Sequence, residues 1–159
     1  MTIKILKFVS IIVGALLAGT SFGIWMGLNP VNYTPATYLE QQHNLVGALN
    51  TLMVSLVVVE TLMTIALFLL LRKNNANAIL FLVAAVCFAA CILISRFGNL
   101  PIQNEMQSWS SAALPEHWTL LRDKWWSLHQ FRTLAELVGL AFITWSTVND
   151  QKSYSSINR

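Results

Sequence analysis

Apolar positions along this chain gather into four long runs separated by short polar stretches. Phe8–Leu28 carries no charged side chain, Leu45–Leu71 carries Glu60 alone, and Ile79–Ser95 carries none. The fourth, Phe131–Val148, carries Arg132 and Glu136. Each run approaches the ~20 residues that a helix needs to cross a bilayer. The pattern predicts an all-α integral membrane four-helix bundle, with helices over about 6–28, 44–71, 78–97 and 125–148. They form a single domain over 1–148, and a polar C-terminal tail follows over 149–159. Lys4 and Lys7 precede the first run as they would in a signal peptide. Its apolar stretch exceeds the ~7–15 residues of a signal core, so it is read as a retained helix.

Composition agrees. Of 159 residues, 55% are hydrophobic and 11% charged, with a mean hydropathy of +0.58. Soluble domains carry about 25% charged residues. Lys4, Lys7, Arg72, Lys73, Lys152 and Arg159 cluster at one set of helix ends, whereas Arg96, Arg122 and Lys124 are offset by Glu40, Glu105, Glu116 and Asp123. The excess of positive charge marks the cytoplasmic side. Both termini are therefore expected inside, in what is read as a bacterial inner membrane. The loops Asn29–Asn44 and Gly98–Lys124 are expected outside. The net charge of +3 follows from this rule, and no basic, aromatic-interleaved patch points to nucleic acid.

Several local patterns carry expectations. The turn Arg72–Asn77 is short and polar, which makes its flanking helices antiparallel neighbours. Gly19, Gly23 and Gly27 form a small-residue stripe of the kind that lets membrane helices approach closely; the alternative is room for a flat ligand beside Trp25. Glu105–Lys124 suits a short interfacial helix, and Trp125 and Trp126 suit an aromatic belt. Cys87 and Cys91 are read as small apolar core residues.

Chemistry concentrates in Trp125–Glu136. His129, Arg132 and Glu136, spaced at three and four, share one helix face, and charges inside a membrane usually mark a site. Counting about 1.5 Å per residue from the inner helix ends puts Glu60 and Glu136 roughly 16–18 Å deep, near mid-bilayer. Asn50, Arg96, Asn99, His129 and Trp25 fall in an outer layer. Both layers are expected to line one cavity that opens outward, with Arg132 able to pair with Glu60 or Glu136. A buried ionic staple that fixes helix register is the alternative. One Glu-x-x-His occurs, Glu40–His43, where a di-iron bundle needs two, and His43 lies too far above His129 for a two-His haem, so no metal site is assigned. His129 is the best single ligand candidate, and haem or a metal ion the lesser cofactor option.

Two segments then resemble a known family: Asn99-Leu100-Pro101-Ile102-Gln103-Asn104 with Trp109 following, and Trp126-Ser127-Leu128-His129-Gln130-Phe131-Arg132-Thr133. With four helices and a Gly-rich first helix, the chain resembles the anthrone-oxygenase-like family of small membrane proteins. The resemblance implies a four-helix membrane bundle and oxygenation of a lipophilic aromatic substrate, without an evident cofactor motif. It assigns functional weight to Asn99, Asn104, Trp109, His129 and Arg132. Two functions follow. The first is a membrane oxygenase or oxidase acting on a phenol, anthrone or quinone-like molecule. In it His129 serves as base, Arg132 with Asn99 or Asn50 stabilises the oxyanion, and Trp25, Glu60, Arg96, Asn104, Trp109, Trp126 and Glu136 line the substrate site. The second is a non-catalytic binder of lipid, quinone or haem, or an accessory subunit. The implied partners are the bilayer, a lipophilic small molecule and, as an open option, further copies of the chain.

Overall fold

A computed structural model describes residues 2–73, 75, 77–110 and 114–157, with side chains through residue 149. The side chain of Lys152 and all of Arg159, used in the charge count, lie outside the described residues, as do Asn74 and Ala76 of the inner turn. The chain is helical, with no strand among the described residues. Four long helices dominate: α1 (Thr2–Gly27), α2 (Pro35–Leu71), α3 (Ala78–Ile94) and, after a short α4 (Leu100–Met106), α5 (Trp118–Ile157). They close into a ring in which α1 packs on α2, α2 on α3, α3 on α5 and α5 on α1.

Three of these stretches are long and apolar enough to cross a membrane: Thr2–Asn32, Pro35–Leu71 and Ala78–Met106. The helix carrying Arg132 and Glu136 is not among them, yet it packs along both α1 and α3 and so shares their layer. Lys7 Nζ lies 5.4 Å from the Phe81 ring centroid, and Ser146 Oγ donates to the Asn77 carbonyl at 3.2 Å. These contacts bring the start of α1, the α2–α3 turn and the lower part of α5 to one end of the bundle.

The helices outrun the expected boundaries at the opposite end, and local chemistry explains why. Pro35 falls in the expected loop Asn29–Asn44, but it is a helix-starting residue: it occupies the first turn of α2, and the Thr34 hydroxyl accepts from the Thr37 amide at 3.3 Å. Proline lacks the N–H that the first turn leaves unsatisfied anyway. The helix is 37 residues long, roughly 55 Å at ~1.5 Å per residue, against a hydrocarbon core of about 30 Å. Pro101 likewise does not end the helix. A single π-helical turn, Ser95–Asn99, joins α3 to α4, with the Leu100 amide bonded to the Ser95 carbonyl. A proline cannot donate to the carbonyl four residues back and its ring crowds it; a wider turn relieves both.

Residues 111–113 of the interfacial helix expected over Glu105–Lys124 lie outside the described residues, and the described ones form no separate helix between α4 and α5. Those residues divide between the end of α4, a connecting loop and the first turns of α5. The backbone of α5 also runs to Ile157, into the segment read as a tail.

Two cores follow from this geometry. One, at membrane depth, contains Leu17, Val57, Leu67, Phe81, Phe88, Cys91 and Ile143. The other is aromatic and sits at the opposite end, built from Tyr38, Met106, Trp109, Trp125 and Trp126 with Leu39 and Ile102. Trp125 and Trp126 are thus interior residues, 5% and 7% exposed, rather than a lipid-facing belt. Aromatic side chains prefer to bury large apolar areas when a partner surface is available, and the extended helices supply one. Cys87 and Cys91 are free thiols, the second buried.

Glycine placement is also redistributed. A Cβ at Gly19, Gly23 or Gly27 would meet nothing within 4 Å, so this stripe makes no close helix approach within the described chain. The tight approaches are elsewhere: a Cβ at Gly139 would lie 2.9 Å from Phe88 Cζ, and one at Gly98 would lie 2.8 Å from Leu128 Cδ1. We expect Gly139→Ala to destabilise the bundle by about 1–3 kcal/mol through overpacking against a fixed ring. Gly23→Ala should be neutral or stabilising, because alanine is the better helix former. Thermal unfolding of both variants in detergent checks the contrast, and equal behaviour would contradict it.

Candidate functional site

A cavity of about 210 Å³ lies between the two cores. Its walls are mostly apolar: Leu17 and Ile24 of α1, Leu45 to Val58 of α2, and Cys91 and Ile92 of α3. Its polar lining comes from Asn50, Ser95, Arg96, Asn99, Gln103, His129, Arg132 and Glu136, with Trp125 beside them. The lining positions on α3 and its continuation fall at 91/92, 95/96, 99/100 and 103. Steps of four drift around an α-helix of 3.6 residues per turn. The π turn takes up an extra residue and keeps this set on one face.

The floor is a hydrogen-bonded ladder on α5. Arg132 is its centre. Its Nη1 donates to Ser95 Oγ at 3.3 Å and its Nη2 to His129 Nδ1 at 3.1 Å. Its Nε lies 3.5 Å from Glu136 Oε1, an ion pair one helical turn apart that lacks hydrogen-bond geometry. His129 is fully buried and its Nε2 lies 3.1 Å from the Ser21 carbonyl of α1. A carbonyl only accepts, so Nε2 carries the proton, and the Nδ1 lone pair is left for Arg132. The imidazole stacks against both Trp125 and Trp126, with ring centroids at 5.5 and 5.6 Å. Both ring nitrogens are therefore engaged. As arranged, His129 orients Arg132 and ties α5 to α1, with no free lone pair for a proton or a metal. Among the described residues no group of three or more His, Cys, Asp or Glu side chains could hold a metal ion.

Asn99 is buried in the π turn, and its Nδ2 donates to the Trp125 carbonyl at 3.1 Å. That carbonyl can only accept, which fixes the amide orientation and leaves Asn99 Oδ1 without a partner. Glu136 Oε2 and Trp125 Nε1 are also buried and unpartnered. Unsatisfied polar atoms of this kind are few in folded proteins, and here four, counting Arg132 Nε, sit on residues that line one cavity.

Of the residues singled out in the sequence, Asn50, Arg96, Asn99, His129, Arg132 and Glu136 come together at this cavity. The others do not. Glu60 is fully buried, but it faces α1, where Ser10 Oγ donates to its Oε1 at 2.5 Å and a Cβ at Gly14 would lie 3.8 Å from its carboxyl. Its Oε2 has no partner. The expected single cavity holding both carboxylates is thus corrected: Glu60 is a separate, deeper group, and Arg132 pairs with Glu136 on its own helix. Depth from a rise count fixes height but not azimuth, and Glu60 points to the wrong neighbour. Trp25 packs edge-on to Phe22, with ring centroids 6.4 Å apart, and Ile24 takes its place in the lining. Asn104 is exposed, Trp109 belongs to the outer aromatic core, and Trp126 reaches the site only by stacking on His129. Trp125, expected only in an aromatic belt, lines the cavity. Its position four residues before His129 was the available signal.

A buried carboxylate that loses its cation is costly, at about 3–5 kcal/mol. We therefore expect Arg132→Met to destabilise the bundle by an amount of that order. The double variant Arg132→Met, Glu136→Leu should recover most of the loss. Unfolding in detergent reads both, and a double variant no more stable than the single one would show that the pair is not energetically coupled.

Comparison with known proteins comes to one finding. No curated protein matches this chain, and no solved structure does. A family model described as anthrone oxygenase matches residues 35–142, a stretch that includes both motif segments and most of the cavity lining. Since that match spans well over half of its length, the chain belongs to the anthrone oxygenase family.

Proposed function

We propose that this protein is a membrane-embedded oxygenase that converts a lipophilic anthrone-like or phenolic aromatic to its quinone inside the bundle cavity. Family membership supports the reaction class. The observation that carries the assignment is Glu136, a buried carboxyl with one oxygen unpartnered, on the wall of an otherwise apolar cavity and beside a cation. At about 210 Å³ the space lies below the ~300–1,000 Å³ of drug-sized pockets, which suits a compact planar molecule.

Glu136 takes the acidic C–H proton of the substrate and becomes a neutral acid. The Arg132–Glu136 ion pair is replaced by Arg132 beside the substrate enolate, so the cavity gains no net charge at this step, and Arg132 stabilises the oxyanion. The electron-rich enolate carbon reacts with dioxygen to give a hydroperoxide. Loss of water then leaves the carbonyl: one CH₂ and one O₂ yield one C=O and one H₂O. This moves the base from His129 to Glu136, because both nitrogens of His129 are engaged. His129 becomes the positioning residue for Arg132. In this reading the basic end of the bundle faces the cytoplasm, by the positive-inside rule, and the cavity lies in the outer half of a bacterial inner membrane.

A second reading is favoured by one observation: Arg132 already has Ser95, His129 and Glu136 around it. A guanidinium already held by these three groups suits a site that holds a lipophilic ligand without transforming it. Oxygen uptake by purified protein with anthrone separates the two. We expect uptake in the native protein, reduced ~10²-fold or more in Glu136→Gln, which removes the base and keeps the shape. Unchanged uptake in Glu136→Gln would remove Glu136 from the mechanism. No uptake by native protein that still binds anthrone would favour the second reading.

A further inference from the structure

The cavity is not sealed toward lipid. Val54 and Val58 of α2 line it, yet they are 49% and 40% exposed on the bundle surface. Across from them, on the π turn, Arg96 also lines the cavity and is exposed. At about 1.5 Å per residue, Val58 and Val54 stand roughly 20 and 25 Å above the inner end of α2, and Arg96 roughly 27 Å above the start of α3. A hydrocarbon core about 30 Å thick covers all three. The gap between α2 and the π turn therefore faces acyl chains.

Arg96 is the unusual member of this rim. Among the described residues its guanidinium makes no hydrogen bond or ion pair, and the Phe97 ring, 6.0 Å from it, is its recorded contact. A cation at this depth is costly unless it reaches the headgroups or meets an anion. The other cation of the cavity, Arg132, already has two hydrogen bonds and an ion pair. The π turn that carries Arg96 also holds Ser95 and Asn99 on the cavity wall, so its placement at the opening is part of the same local geometry.

We propose that the cavity is loaded sideways from the outer half of the bilayer, through a portal between Val54/Val58 and Arg96, and that Arg96 selects lipophilic aromatics bearing an acidic oxygen. Such a molecule partitions to this depth with its ring plane among the acyl chains and its phenolic or enolic oxygen toward the headgroups. Arg96 meets that oxygen at the rim while the apolar wall accepts the rings. A whole diacyl lipid is too large for about 210 Å³, so the ligand class is a compact weak acid rather than a phospholipid. This inference rests on the cavity being the substrate site of the proposed function, but its test reads binding and environment instead of turnover.

The experiment places a nitroxide spin label at Val54→Cys in a Cys87→Ala, Cys91→Ala background, reconstituted in phosphatidylcholine vesicles, with Asn44→Cys, beyond the hydrocarbon on the same helix, as reference. We expect the Val54 label to relax with dissolved oxygen rather than with a water-soluble nickel chelate, and the Asn44 label to do the reverse. Anthrone should immobilise the Val54 label. Arg96→Gln should raise the anthrone concentration for half-immobilisation at least tenfold and leave that for anthracene, the same ring system without oxygen, unchanged. Val58→Cys repeats the measurement if the Val54 variant does not fold. A label relaxed mainly by the nickel chelate would overturn the lateral portal, as would anthrone leaving the label mobile. Equal effects of Arg96→Gln on both ligands would overturn the selection. Binding as expected with no oxygen uptake would leave the portal standing and remove the catalytic reading.

Discussion

The upper half of this bundle is organised around one partly buried guanidinium. Arg132 carries a charge into a layer where an unpaired charge is costly, and its partners come from several elements. Ser95 belongs to the π turn, Glu136 to the next turn of α5, and His129 links it on to the Ser21 carbonyl of α1. A planar donor with five N–H groups requires acceptors in fixed directions. Those directions constrain how α1, α3 and α5 can sit relative to one another. The cavity is the space left beside the guanidinium once they are satisfied.

Proline chemistry sets the second constraint. Pro101 forces a wide turn into the third span without ending it, and that turn holds Ser95, Arg96 and Asn99 on the cavity wall. Pro35 starts the second span early and carries it beyond the membrane. The overhang gives the outer aromatic core something to pack on. Trp125 and Trp126 fill that core and stack against His129. That stacking and the Ser21 carbonyl hold the imidazole, and the imidazole orients Arg132.

The two buried carboxyls, which a depth count makes equivalent, separate into different environments. Glu136 has a cation 3.5 Å away and a cavity at its side. Glu60 has one serine donor and a close glycine, and lies on the α1 side of the bundle. The same residue type at similar depth is thus a candidate for proton transfer in one place and a packed interior group in the other. Neighbouring helices decide which, since burial alone does not.

Much of this was legible in the chain. Four apolar runs give four long helices, because only a helix satisfies its own backbone in hydrocarbon. Spacings of three and four put His129, Arg132 and Glu136 on one face, and the motifs around Asn99 and His129 carried the family. Asn50, Arg96 and Asn99 were also found, through height in the membrane. What the chain could not give was azimuth and partnership. Whether Glu60 or Glu136 meets Arg132, whether Gly19–Gly27 or Gly139 marks a close helix approach, and whether His129 keeps a free nitrogen all depend on how each helix is rotated against its neighbours. Lipid-facing and core-facing positions in these runs are almost equally apolar, so periodicity leaves that rotation unset. It is decided only when buried polar groups on different helices find one another.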